Sequence, residues 1–138
     1  MVNDVKFRFV SNKPIPDKPG FSCWCYEIRI IPQGWMGRES KWGLKLPSKT
    51  YVADPENFDV KCDCKLTPSD YVYLKGKKKE PSVIVNKKKG RRKFKICFIS
   101  TSEMKLETNF AVCRKYRDRK WEFIKFDGTN KLPGPKPQ

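Results

Sequence analysis

Apolar and polar residues alternate along most of the chain, beginning with VKFRFV at Val5 to Val10 and a longer run from Phe21 to Ile31. β-branched and aromatic side chains dominate these runs, and Pro, Gly and Lys clusters separate them, the pattern of strands ended by turns. It predicts strands near Val5–Val10, Phe21–Ile31, Trp42–Leu46, Phe58–Leu66, Ser82–Val85, Lys93–Ser100, Asn109–Tyr116 and Lys120–Phe126. The expected fold is mainly β, a compact antiparallel sheet or barrel-like domain with one or two short helices. Thr67-Pro68-Ser69-Asp70 and the Thr101 to Leu106 segment carry capping residues that suit single helical turns.

Proline sets the expected limits of the sheet. The loop SNKPIPDKPG, Ser11 to Gly20, holds three prolines, which lack the backbone donor that a sheet interior needs. A surface connection is expected there. KLPGPKPQ, from Lys131, should fray as an extended tail, so residues 1–130 form one β-rich domain and 131–138 a flexible appendage. The length of 138 residues suits one domain, and 38% hydrophobic with 13% aromatic residues is too apolar for a disordered basic tail.

No stretch approaches the ~20 apolar residues that cross a bilayer, and the charged start MVNDVKFRFV lacks the apolar centre of a secretory signal. No membrane partner is expected. A reducing, cytoplasmic setting follows, with the six cysteines as thiols. In a eukaryotic host KKKEPSVIVNKKKGRRK could also act as a nuclear import signal.

Charge changes the picture most. The chain carries 31 Lys and Arg against 15 Asp and Glu, a formal +16. From Lys75 to Lys93, ten basic residues face one acid, so nine of the sixteen net charges lie in nineteen residues. A self-repelling chain is tolerated when a polyanion neutralises it, and nucleic acid is the commonest such partner. If Ser82–Val85 and Lys93–Ser100 are paired, Lys87, Lys88, Lys89, Arg91 and Arg92 sit at a hairpin tip, with Lys93 opening the second strand. Lys75, Lys77, Lys78 and Lys79 then sit at the far end of the short strand. The bland alternative is a pair of solvated loops that discourage edge pairing.

A third basic cluster, RKYRDRKW, interleaves Arg114, Lys115, Arg117, Arg119 and Lys120 with Tyr116 and Trp121. Aromatic faces beside cations suit single-stranded DNA or RNA, because each stacked base contributes about 1–3 kcal/mol. Both rings could equally belong to the core across a hairpin tipped by Asp118. Trp35, between glycines in GWMGRESKW, is either a stacking platform, a partner anchor or a tucked loop residue.

Cys23-Trp24-Cys25 and Cys62-Asp63-Cys64 share a spacing that points both sulfurs of a strand to one face. On neighbouring strands, Cys23, Cys25, Cys62 and Cys64 could surround zinc, though core packing suits them better, and Cys97 and Cys113 read as core. No metal or other cofactor is expected. The chain has no histidine, which removes the commonest neutral-pH general base. Asp17 with Glu27-Ile28-Arg29 loosely echoes a magnesium nuclease, and Asp54, Glu56 and Asp59 form a second acidic group. Neither comes with a phosphate loop or nucleophile elbow, so no catalytic residue is expected.

EIRIIPQGWMGRESKWGLKLPSK, Glu27 to Lys49, resembles the strand-loop-strand region of the stage V sporulation protein G family. There an Ile-Arg-Val-Ile strand leads to a Gly-Leu strand ending in Pro-Ser-Arg or Pro-Ser-Lys. VNDVKFRFV is similar to that family's opening strand, so the likeness covers about residues 2–50. It implies a small nucleic-acid-binding regulator built on a sheet. The loop here is longer, and the basic second half has no counterpart. The expected function is thus non-catalytic nucleic-acid binding. The alternative is a basic inhibitor or accessory factor, such as a viral or phage one, that docks on an acidic groove of a protein or nucleoprotein complex.

Overall fold

The computed structural model describes residues 5–30, 41–53, 72–75, 82–86, 92–115, 121–123 and 131–138. Among them the chain is mainly β, built from antiparallel pairs. Strands β1 (Val5–Pro14), β2 (Phe21–Ile30) and β6 (Lys93–Thr101) form a three-stranded sheet in the order β1-β2-β6. Strands β4 (Val72–Lys75), β5 (Ser82–Asn86), β3 (Lys41–Lys45), β8 (Ala111–Lys115) and β9 (Trp121–Phe123) form a second, in that order. β7 (Met104–Asn109) pairs with β10 (Lys131–Pro135).

Alternation explains how the two larger sheets meet. On β2, Trp24, Tyr26, Ile28 and Ile30 point one way, and on β6, Phe94, Ile96 and Phe98 join them. Trp42 and Leu44 of β3, Val83 of β5 and Val112 of β8 enter the same core from the opposite sheet. Trp42 meets Phe94 edge-on across the gap, with ring centroids 5.5 Å apart. Burying each such side chain contributes about 1.5–3 kcal/mol, so the shared core is the main reason the sheets stay together.

Several expectations are corrected. β1 runs through the prolines' approach to Pro14 rather than stopping at Val10. A bulge between Phe9 and Ser11 resets the register, and Pro14 is tolerated because β1 is an edge strand of its sheet. The Ile15–Gly20 turn then closes with Gly20 at φ 85, a conformation that glycine adopts without strain. Thr101 to Leu106 is not helical. Ser102 and Glu103 turn the chain between β6 and β7, and the Ser102 hydroxyl accepts from Ser22 Oγ at 2.7 Å instead of capping a helix.

The Pro-rich end does not fray. β10 pairs with β7, and the Tyr26 hydroxyl donates to the Pro133 carbonyl at 2.7 Å. Strands β5 and β6 are not partners either. β5 pairs with β3 and β4, and the chain changes sheet between Asn86 and Arg92, because Val83 and Phe94 fill the core from opposite sides. Residues 58–66 and 67–70 lie outside the described residues.

Candidate nucleic-acid interface

The outward-facing positions of β1, β2 and β6 are the other half of the alternation. Register sets Lys6, Arg29 and Lys93 side by side across the three strands, and Arg8, Glu27 and Lys95 in the next row. Neighbouring strands lie about 4.8 Å apart and same-face residues about 6.7 Å along a strand, so six side chains share a patch roughly 10 by 7 Å. Lys6, Arg8, Arg29 and Lys93 are exposed and Lys95 is half-buried. Five cations against one carboxylate leave this face four positive charges in excess.

Glu27 organises the patch. It is 6% exposed, beneath the cations. Arg8 donates to both of its oxygens, from Nε to Oε1 at 2.9 Å and from the terminal nitrogen to Oε2 at 3.0 Å, while Lys93 Nζ stands 3.7 Å from Oε2. The Arg8 hydrogen bonds hold the carboxyl below its ordinary value against the upward pull of burial, and the charges of Arg8, Lys93 and Lys95 add to them. Arg8 is raised in turn by the same contact. Lys6 and Arg29 make no ion pair among the described residues, although like charges directly opposite on a sheet are destabilising.

The other half of this face is closed. In the next rows Cys25 lies opposite Cys97 and Cys23 opposite Ile99, all buried. Ile15 and Ala53 pack over Cys23 and Ile99, and the Ala53 amide donates to the Ile99 carbonyl at 2.8 Å. The boundary between the basic and the covered halves therefore falls between Glu27 and Cys25.

Of the residues singled out from sequence, Arg92 is exposed next to β6 and Lys93 opens that strand. Lys75 ends β4 opposite Ser82, at the start of β5. Arg114 and Lys115 lie on β8 and Trp121 on β9, with Lys115 opposite Trp121, the hairpin expected there. Lys77, Lys78, Lys79, Lys87, Lys88, Lys89, Arg91, Tyr116, Arg117, Arg119, Lys120 and Trp35 lie outside the described residues. Lys6, Arg8, Arg29 and Lys95 form no charge run in the sequence, because period-two alternation spreads them one per repeat of the pleat. The polar partners of each apolar strand residue were the signal.

The cysteines depart from expectation. Cys23 and Cys97 are disulfide-bonded, and Cys25 is a buried free thiol. A disulfide sulfur is not a thiolate ligand, and both edges of β2 are taken by β1 and β6, so no further strand can bring a second cysteine pair beside it. The zinc arrangement is thereby set aside. Cys62 and Cys64 lie outside the described residues, as do Asp54, Glu56 and Asp59. The loose magnesium pattern loses Glu27, whose two oxygens are occupied by Arg8. Among the described residues no helix is long and apolar enough to cross a membrane.

No family model, curated protein or solved structure matches the chain. The resemblance to the stage V sporulation protein G family rests on the residues quoted for it.

Proposed function

We propose that this protein binds nucleic acid without catalysis, laying phosphates on the outer face of β1, β2 and β6. The observation that carries this is the row Lys6, Arg29 and Lys93, three cations directly across three strands with one shared carboxylate already engaged by Arg8. Such a row costs stability in the free protein and is relieved by a polyanion. Arg92, exposed just before β6, adds a further cation next to Lys93.

A salt titration of binding tests it. Phosphate neutralisation predicts that log K falls linearly with log salt concentration, with a slope near one unit per contact. Replacing Lys6, Arg29 and Lys93 together by Gln should weaken binding by about tenfold or more at moderate salt and flatten that slope by roughly three units. Replacing Lys87, Lys88, Lys89, Arg91 and Arg92 by Ala should act in the same direction. Unchanged affinity and slope in both variants would remove the proposal.

The disulfide-bonded Cys23 and Cys97 favour a second reading, because such bonds persist in oxidising compartments. There the basic face would serve an inhibitor or accessory factor docking on an acidic protein groove. In that case affinity for oligonucleotides stays weak, at about the level of any basic surface.

A further inference from the structure

The composition of the open face bears on which form of nucleic acid it takes. Its six outward positions are Lys6, Arg8, Glu27, Arg29, Lys93 and Lys95, none of them aromatic. Most rings on the same strands are committed inward, and Phe21, on the covered half of this face, packs on Tyr51. Phe7 and Phe9 pack on Tyr26, Tyr26 stacks on Phe98 at 5.9 Å, and Phe94 meets Trp42. A single strand bound here would forgo the stacking, about 1–3 kcal/mol per base, on which single-strand binders rely.

The face is also poorly equipped to read adenine or cytosine edges. It holds no Asn or Gln, and both oxygens of its one carboxylate are occupied by Arg8. Its shape points the same way. The outer backbones of three strands are about 9.6 Å apart before side chains are added, whereas a major groove about 12 Å wide admits a two-stranded ribbon. A three-stranded face lies across a groove, on the phosphates at its rims. Two rows of cations separated by one pleat repeat suit a rigid, dense array of charge, and a duplex carries one phosphate per about 1.7 Å of axis.

We infer that the ligand of this face is the phosphate backbone of a double helix, held across a groove without regard to base sequence. This rests on the nucleic-acid reading above and names its substrate class.

The test uses the full chain and equilibrium titrations at several salt concentrations. The probes are a mixed-sequence DNA duplex, its two separated strands, a duplex of scrambled sequence and the matching RNA duplex. The duplexes should bind about tenfold more tightly than either strand, with a steeper salt slope, and scrambling should change Kd less than about twofold. The Lys6→Gln, Arg29→Gln double variant removes two like charges held side by side at exposed positions, so its melting temperature should hold or rise while duplex affinity drops and the slope falls by about two units. DNA and RNA duplexes are distinguished by their ratio, either of which satisfies the inference. Equal or tighter binding of single strands with quenching of tryptophan emission would overturn it and leave the nucleic-acid reading standing. So would a strong dependence on base sequence. A double variant with full duplex affinity would remove the ligand from this face, and the absence of binding to every probe would overturn both readings together.

Discussion

Glu27 shows how one side chain can serve stability and binding in opposite senses. Its carboxyl is held below its ordinary value of 4.5 first by the Arg8 hydrogen bonds. A folded value below the unfolded one contributes stability that is complete above the unfolded value and disappears as pH falls through the folded one. Chemical denaturation between neutral pH and about pH 3 should therefore show the wild type losing stability from about pH 4.5 downward, while Glu27→Gln shows a flatter profile and a lower plateau at pH 7. A variant profile parallel to the wild type would mean that the contact contributes nothing to folding. Binding should move the other way, because removing the carboxylate raises the excess on the face from four charges to five. At ~7 Å in water one charge is worth ~0.6 kcal/mol, so nucleic-acid affinity should rise about threefold. The salt slope should hold or steepen.

At the scale of elements, the C-terminal strand makes the sharpest case. A Cβ at Gly134 would come within 2.7 Å of Thr108 Oγ1, 2.8 Å of Thr108 Cβ and 2.9 Å of Phe110 Cζ. Gly134→Ala should cost about 1–3 kcal/mol by overpacking, read as a lower denaturant midpoint and faster amide exchange in β10. Tyr26→Phe, which leaves the Pro133 carbonyl without its 2.7 Å donor, should cost about 1 kcal/mol. If neither substitution moves the midpoint, β10 is not part of the cooperative unit. The same strand explains what the sequence could and could not say. β2 and β6 were legible because Trp24, Tyr26, Ile28 and Phe94, Ile96, Phe98 alternate with polar or small residues, so period and class agreed and the strand starts at Phe21 and Lys93 were as expected. β10 was not, since KLPGP has no alternation and its pairing depends on a neighbour 22 to 31 residues upstream. The basic face lay between these cases. Its residues were in plain view as the polar members of β1, β2 and β6, but only the register Lys6–Arg29–Lys93 brings them into one row. Sheet partnership was the least legible of all: β5 and β6 are neighbours in sequence and belong to opposite sheets because both faces of one core had to be filled.

For the molecule as a whole, charge and cysteine chemistry lead to different partners, and thiol state decides how they are weighed. Cys23 and Cys97 sit on the covered half of the face whose other half is basic, where Ile15 and Ala53 close over the sheet. Alkylation of the native protein should leave Cys25 unlabelled, because it is buried; in denaturant without reductant Cys25 should be labelled and Cys23 and Cys97 should not. Peptide mapping by mass spectrometry reads all three. Reduction should lower the denaturant midpoint by about 2–4 kcal/mol of stability for each disulfide lost. Nucleic-acid affinity of the still-folded reduced protein should change little, since Lys6, Arg8, Arg29, Lys93 and Lys95 are set by backbone register and not by sulfur. Full labelling of Cys23 and Cys97 in denaturant would return the chain to a reducing setting and leave the docking of an exported inhibitor without its support. Protected Cys23 and Cys97 combined with weak, shallow salt dependence on every oligonucleotide would instead favour an acidic protein groove as the partner of the basic face.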